Sequence, residues 1–365
     1  MFGKETIEYL KNAVQAKKVT RAPIDLQILP TTRCNAKCIF CPSQAVSKSE
    51  MERFAPRWLE EPMDINHGIF ERLVDDLYRL GAPKRVHLTG GEPLLYKKII
   101  PMLFVLRGTF PQTEINLVTN GILLKDFASV LVKFSINRVS ISINAGTRPS
   151  FAKQLKVPEK FFDQIKDGIK LIRRERAEKT IPQISLTAVL NKENFKEPSD
   201  LLQLALETQA DAITYLALMD FPFSDEQTRN PVLTETEFQE FLAELAKAKQ
   251  EAKKHGIYLG FTGNSLYQGR LRAEEIYRKT PCYAGYTFAV VWPDGSIRAC
   301  CNCETVLGNL SQNSFYQIWN SRETQMIRER MLRIPELGPP ELCDCLECGY
   351  LFENQEYHRL LTTNE

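Results

Sequence analysis

The sequence predicts an α/β chain built on a parallel sheet, followed by a smaller metal-bearing module. Three observations predict it. Short runs rich in Val, Ile, Leu and Thr alternate with helical patterns from residue 25 to about residue 218, and strands alternating with helices imply parallel βαβ units. At 365 residues the chain exceeds one average domain. Its ten Cys fall into two groups, three at 34–41 and seven from Cys282 to Cys348, with none between. That segregation argues for two separate metal-bearing modules.

The elements follow in order. Residues 1–22 read as a short amphipathic helix and a basic connector, Lys17-Lys18-Val19-Thr20-Arg21. Strands are expected at 25–30, 85–89, 114–119, 138–144, 183–190 and 212–218, each bounded by turn residues. Helices are expected at about 66–80, 97–108, 124–134, 159–178 and 196–209. Residues 219–233, with Pro222 and Pro231, read as a connector. A helix over 235–255 follows. Thr234 is its N-cap, Glu237 stands in capping-box position and Gly256 is its stop. Phe238, Phe241, Leu242 and Leu245 make one face of it, which reads as core.

Composition excludes several classes. A hydrophobic fraction of 43% and a charged fraction of 25% suit an ordinary soluble globular protein. Lys+Arg number 47 against 45 Asp+Glu, so charge gives no argument for nucleic acid. No run of 18 apolar residues suggests a membrane span. The first residues, Met1-Phe2-Gly3-Lys4-Glu5, lack the apolar core of a signal peptide, so a cytoplasmic location is expected. Ten Cys in a chain neither small nor secreted read as metal ligands before disulfides.

The first group is Cys34-Asn35-Ala36-Lys37-Cys38-Ile39-Phe40-Cys41, a CxxxCxxC arrangement. Thiolates are soft ligands that select zinc, copper(I) or iron–sulfur clusters. A structural zinc site is closed by four ligands. Three thiols with no nearby His leave one position empty, which suits a four-iron cluster with one iron open. Zinc completed from elsewhere, or chance, are the alternatives.

Some fifty residues later, Val86-His87-Leu88-Thr89 runs into Gly90-Gly91-Glu92-Pro93. Together the two stretches resemble the cluster loop and GGE motif of the radical S-adenosylmethionine (SAM) enzymes. The resemblance implies a partial (β/α)6, TIM-like barrel. It implies a 4Fe-4S cluster on Cys34, Cys38 and Cys41 whose open iron holds SAM, with reductive cleavage to a 5′-deoxyadenosyl radical. An electron donor such as a flavodoxin or ferredoxin is then expected. In barrels of this type the site forms from loops at the C-terminal ends of strands. Phe40 matches the family's aromatic beside adenine, simple burial being the alternative. Gly90, Gly91 and Glu92 would hold the SAM amino group. Ser142 would bind the SAM carboxylate or ribose. Asn144 stands where the family often has Asp. Val189 and Leu190 would contact adenine. Asn194 also matches a recurring family position of unclear role. Polar lining without a ligand is the alternative for Ser140, Ser142 and Asn144.

The C-terminal pieces Asp294-Gly295, Cys300-Cys301, Leu307-Gly308-Asn309-Leu310 and Ile318-Trp319-Asn320 resemble the SPASM/twitch extension, which carries auxiliary iron–sulfur clusters. The Cys number suits one auxiliary 4Fe-4S cluster, held by Cys282, Cys300, Cys345 and Cys348, with Cys343 able to replace one of them. A zinc ribbon is the structural rival. The second group is expected at the end of the barrel where loops gather. Relatives that form formylglycine carry an Asp where this chain has Cys301, so that role is disfavoured. Cys301 is a candidate catalytic hydrogen donor, with packing as its alternative. The expected divisions are 1–22, a radical SAM barrel over 23–220, a connector and helix over 221–279, the auxiliary domain over 280–350 and a tail over 351–365.

The expected activity is oxidation of a C–H bond in a small polar molecule, such as a sugar or aminocyclitol, with the auxiliary cluster taking the second electron. The alternative is an epimerase or maturase acting on a ribosomally made peptide. The roughly 22 residues before the first strand count against a leader-binding domain.

Overall fold

The computed structural model describes residues 4–41, 62–218, 232–262, 278–303, 305–340, 343, 345 and 348–363. Most of the expected connector, residues 219–231, lies outside them. The strands are β1 (Asp25–Ile28), β2 (Arg85–Leu88), β3 (Glu114–Thr119), β4 (Arg138–Ser142), β5 (Gln183–Leu190), β6 (Ala212–Ala217), β7 (Tyr258–Thr262), β8 (Phe288–Val291), β9 (Ser296–Arg298) and β10 (Val306–Asn309). They form one open sheet in the order β10-β9-β8-β1-β2-β3-β4-β5-β6-β7. All neighbours from β8 to β7 are parallel. Among the described strands, β8–β9 and β9–β10 pair antiparallel.

Burial follows the two-residue period of the strands. Leu26, Ile28, Val86, Leu88, Ile115, Leu117, Val139, Ile141, Leu186, Ala188 and Leu190 are buried on the face toward the helices. Burying each large side chain contributes roughly 1.5–3 kcal/mol. A one-residue slip would turn the whole set outward, which fixes the register. The opposite face of β1 to β5 carries the half-exposed Gln27, His87, Asn116, Val118, Ser140, Ser142, Thr187 and Val189. This polar face is the lumen of a partial barrel.

All six expected strands form, as do the expected helices, with ends shifted by at most two residues. Thr234 and Glu237 close the predicted capping box. Phe241 meets Tyr215 at 5.1 Å and Phe261 at 5.6 Å, so that face is core. Three features differ from expectation. A seventh parallel strand, β7, follows this helix. The stretch after residue 350 is a helix, Leu351–Thr362, rather than a tail. The C-terminal module is also not separate, because β8 pairs with β1. All four residues of β8 are buried, and a strand without a wet face needs a sheet on which to close.

The topology sets two rims. The segments leaving β1 to β5 collect at the C-terminal rim. Cys282 precedes β8, and Cys300 follows β9, which runs antiparallel to it. Both therefore lie at the N-terminal rim, which overturns the expectation that the second Cys group joins the loops around the first.

Candidate active site

At the C-terminal rim the Cys loop is held by backbone bonds on both sides. Lys37 N donates to Leu155 O at 3.0 Å and Ile39 N to Gln154 O at 2.9 Å. Gly91 N donates to Thr31 O at 3.0 Å and Glu92 N to Arg33 O at 2.7 Å. A Cβ on Gly91 would stand 2.2 Å from Arg33 O, and Gly90 has φ +122°. The glycines are thus required by the approach of the turn to the Cys loop itself.

Behind this loop lies a buried amide network. Gln154 Nε2 donates to Asn144 O at 3.0 Å, and Asn191 Nδ2 donates to Gln154 Oε1 at 2.8 Å. Asn194 Nδ2 donates to Asn144 O at 2.8 Å and to Val189 O at 2.7 Å. Gln154, Asn191 and Asn194 are fully buried. They tie the ends of β4 and β5 to the helix Arg148–Leu155 that carries the Cys loop.

The Glu92 carboxylate is fully buried. It accepts from Leu94 N at 3.1 Å, Thr119 Oγ1 at 2.8 Å and Asn120 N at 2.8 Å. Burial holds its carboxyl above the usual range against these hydrogen bonds. No cation among the described residues pairs with it. Two donors reach Oε1 and one reaches Oε2, which leaves room for one more at Oε2. Asn120 joins this carboxylate to the thiols, its Nδ2 donating to Asn35 Oδ1 at 2.7 Å and lying 3.8 Å from Cys34 Sγ.

Deeper in the lumen, Asp25 is almost fully buried. Arg85 grips it with two nitrogens, Nη2 at 2.7 Å from Oδ2. His87 Nε2 lies 3.3 Å from Asp25 Oδ1, and Tyr350 donates its hydroxyl to Oδ2 at 3.2 Å. Burial works against the Asp25 charge, but the bonds from His87 and Arg85 outweigh it and hold the carboxyl below its usual range. The His87 ring, 31% exposed, stays open to the lumen.

At the N-terminal rim Cys282 and Cys300 lie near Cys348, and Cys282, Cys345 and Cys348 pack on Ile334. Cys301 is exposed, with its thiol against that of Cys300. Cys303 and Cys343 are joined in a disulfide. Asn302 N donates toward Cys300 Sγ at 3.5 Å and Asn354 Nδ2 toward Cys282 Sγ at 3.7 Å. A surface cleft of about 410 Å³ between the helix His67–Leu80 and residues 310–314 holds none of these thiols.

Residues 28–205 match the family model described as the radical SAM superfamily, and residues 282–349 match SPASM, an iron–sulfur cluster-binding domain. The chain belongs to the radical SAM superfamily. Its sequence is similar to the GTP 3′,8-cyclase of Heliobacterium modesticaldum, 29% identical over 223 residues, covering 60% of this chain and 62% of that one. A probable GTP 3′,8-cyclase of Metallosphaera sedula is 28% identical over 194 residues, covering 53% and 55%. The chain thus spans less than two thirds of the length of these relatives. In fold it resembles SuiB of Streptococcus suis bound to S-adenosylmethionine, with a TM-score of 0.63 at 17% identity, over 90% of this chain and 74% of that one. It also resembles anSMEcpe with bound AdoMet, with a TM-score of 0.63 at 16% identity, over 92% and 98%. Among the described residues no helix is long and apolar enough to cross a membrane.

As a radical SAM enzyme with a SPASM domain, the chain uses SAM, a 4Fe-4S cluster and auxiliary iron–sulfur chemistry. Among the described residues no three His, Cys, Asp or Glu converge as on a single metal ion. The donor sets nevertheless fit clusters. Burial, then the charges of Cys41 and Cys34, pushes the Cys38 thiol up to about 12. Burial, then Cys348 and Cys300, likewise raises Cys282. The iron of a bound cluster would offset both costs.

The predicted SAM residues divide. Phe40 is half-buried beside Cys41, and Ser142, Thr187 and Val189 share the lumen face. Leu190 is fully buried on the opposite face, so the expected adenine contact fails for it by strand alternation. Asn144 sits at φ +60° and its side chain bonds Ser142 O and Val189 N, each at 2.9 Å. It braces the rim. Asn194, of unclear role in sequence, belongs to the same brace. Cys343 is bonded to Cys303, so in this structure it stands apart from the four thiols named as ligands. Gln154, Asn191, Asp25, His87 and Asn354 were missed. Only the spacing of His87 from the GGE turn along β2 could have pointed to any of them.

Proposed function

We propose that this enzyme oxidises a small polar molecule held in the lumen between the two thiol groups. The observation that carries the reading is the polar lumen face with a thiol group at each rim. Cys34, Cys38 and Cys41 would hold the SAM-binding cluster, and Cys282, Cys300, Cys345 and Cys348 the auxiliary one. When bound, SAM and its cluster supply a 5′-deoxyadenosyl radical, and the auxiliary cluster supplies a one-electron acceptor. Glu92 would accept the SAM ammonium at Oε2 as a charge-assisted contact. Ser142 and Val189 would line the SAM site beside Phe40.

The substrate would lie along Gln27, His87, Asn116 and Ser140, all on the lumen face. Oxidation of a substrate carbinol to a carbonyl would need a hydrogen atom taken from carbon and one further electron, which the two bound groups would accept, while the hydroxyl proton would pass to His87 Nδ1. Asp25 suits His87 to that task, because an ionised carboxylate at Nε2 keeps the proton there and leaves Nδ1 as the base. The relatives named for GTP support a small polar substrate in this barrel. A flavodoxin or ferredoxin would supply the first electron.

The test uses the reconstituted, reduced protein with SAM, in heavy water, on metabolites below about 1 kDa from a cell extract. Dehydrogenation predicts a product two mass units lighter, without solvent deuterium at the reacting carbon, and one 5′-deoxyadenosine per product. A product of unchanged skeleton carrying one deuterium, lost in Cys301→Ala, would make the enzyme an epimerase. Turnover only with peptides would move the substrate class.

A further inference from the structure

We propose that Asn354 is the positioning residue that sets the reduction potential of the auxiliary site. The inference rests on the reading of Cys282 as a ligand of that site. Asn354 lies in the helix Leu351–Thr362, which follows the last Cys, and is 2% exposed. Tyr283 N donates to its Oδ1 at 2.8 Å. That bond decides which end of the amide faces which way, and it aims Nδ2 at Cys282 Sγ, 3.7 Å away. Both ends of a buried amide are thereby spent on the two residues Cys282 and Tyr283.

An N–H directed at a cluster sulfur stabilises the extra negative charge of the reduced state, so it raises the potential. A donor in a low-dielectric surrounding does so more strongly than one in water. The same helix adjoins Tyr350, whose hydroxyl bonds Asp25 in the lumen and lies 3.3 Å from Thr287 Oγ1. The segment that tunes the electron acceptor therefore also helps hold the Asp25–His87 pair.

The test uses full-length chain carrying Cys34→Ala, Cys38→Ala and Cys41→Ala, so that only the auxiliary site takes up iron. It is reconstituted with iron and sulfide, and its midpoint is read by EPR during a redox titration. Asn354→Leu should keep its iron and shift the oxidised-to-reduced ratio at a fixed potential about tenfold toward oxidised, about 59 mV for one electron. Asn354→Asp keeps an acceptor for Tyr283 N but turns an oxygen toward the sulfur, and should lower the midpoint further. Iron retained with an unchanged midpoint in both variants would overturn the proposal. If Asn354→Leu loses iron, the midpoint of Asn354→Asp decides alone, and loss of iron from both makes the residue structural only. Cys282→Ala separates the two readings: unchanged iron and spectrum there would remove Cys282 from the site and the ligand assignment with it.

Discussion

The two thiol groups sit on one sheet yet differ in donor number, access and support. The C-terminal rim offers three thiols, exposed or half-buried, on a loop held by backbone bonds and a buried amide network. Beside them a buried carboxylate, Glu92, lacks a cation among the described residues. The N-terminal rim offers Cys282, Cys300, Cys301, Cys345 and Cys348, and a helix donates toward one sulfur. An incomplete donor set beside an uncompensated carboxylate suits a ligand that brings its own ammonium and carboxylate. A complete donor set suits a cluster that only passes electrons.

The largest effect should come from deleting one side of this contrast. Reconstituted protein should bind about eight irons, four per cluster. The combined Cys34→Ala, Cys38→Ala, Cys41→Ala variant should keep about four and lose cleavage of SAM to 5′-deoxyadenosine. If its iron content matched the parent, the two-site division would be wrong.

A smaller effect sharpens the role of the lone carboxylate. Glu92→Gln keeps the shape but removes the charge and replaces one acceptor oxygen with a donor. Hydrogen bonds to charged groups contribute about 1.5–3 kcal/mol, so SAM affinity should fall about tenfold to a hundredfold, measured by equilibrium binding, with iron content unchanged. Affinity equal to the parent's would leave Glu92 as a structural acceptor for Leu94, Thr119 and Asn120 only.

The smallest effect concerns support. Gln154→Leu strips hydrogen bonds from Asn144 O and Asn191 Nδ2 while filling similar space. It should cost about 1–3 kcal/mol in chemical denaturation, and it should weaken iron uptake at the C-terminal rim before the N-terminal one. Equal loss at both rims would show that the brace serves the fold at large.

Much of the fold was legible because it depends on local pattern. The six strands and their helices announce themselves by period and by turn residues. The trio Cys34, Cys38, Cys41 and the turn Gly90-Gly91-Glu92 are contiguous and carry their spacing with them. β7 was missed because Tyr258–Thr262 is short and follows a helix that already looked complete. The brace was missed because Gln154, Asn191 and Asn194 are ordinary polar residues until burial makes each lost hydrogen bond costly. Leu190 was placed wrongly because it was paired with Val189, although adjacent strand residues face opposite sides.

By itself the sequence determined the α/β alternation, the superfamily and the thiols that could serve each cluster, since each depends on residues near one another in the chain. Tertiary structure alone decided that β8 pairs with β1, and hence that the second thiol group stands at the opposite rim from the first. It also decided that Asp25 meets Tyr350 and that Asn354 meets Cys282. These contacts join residues far apart in sequence, and no local period encodes which distant strand will cover an apolar face or which buried donor will find a sulfur.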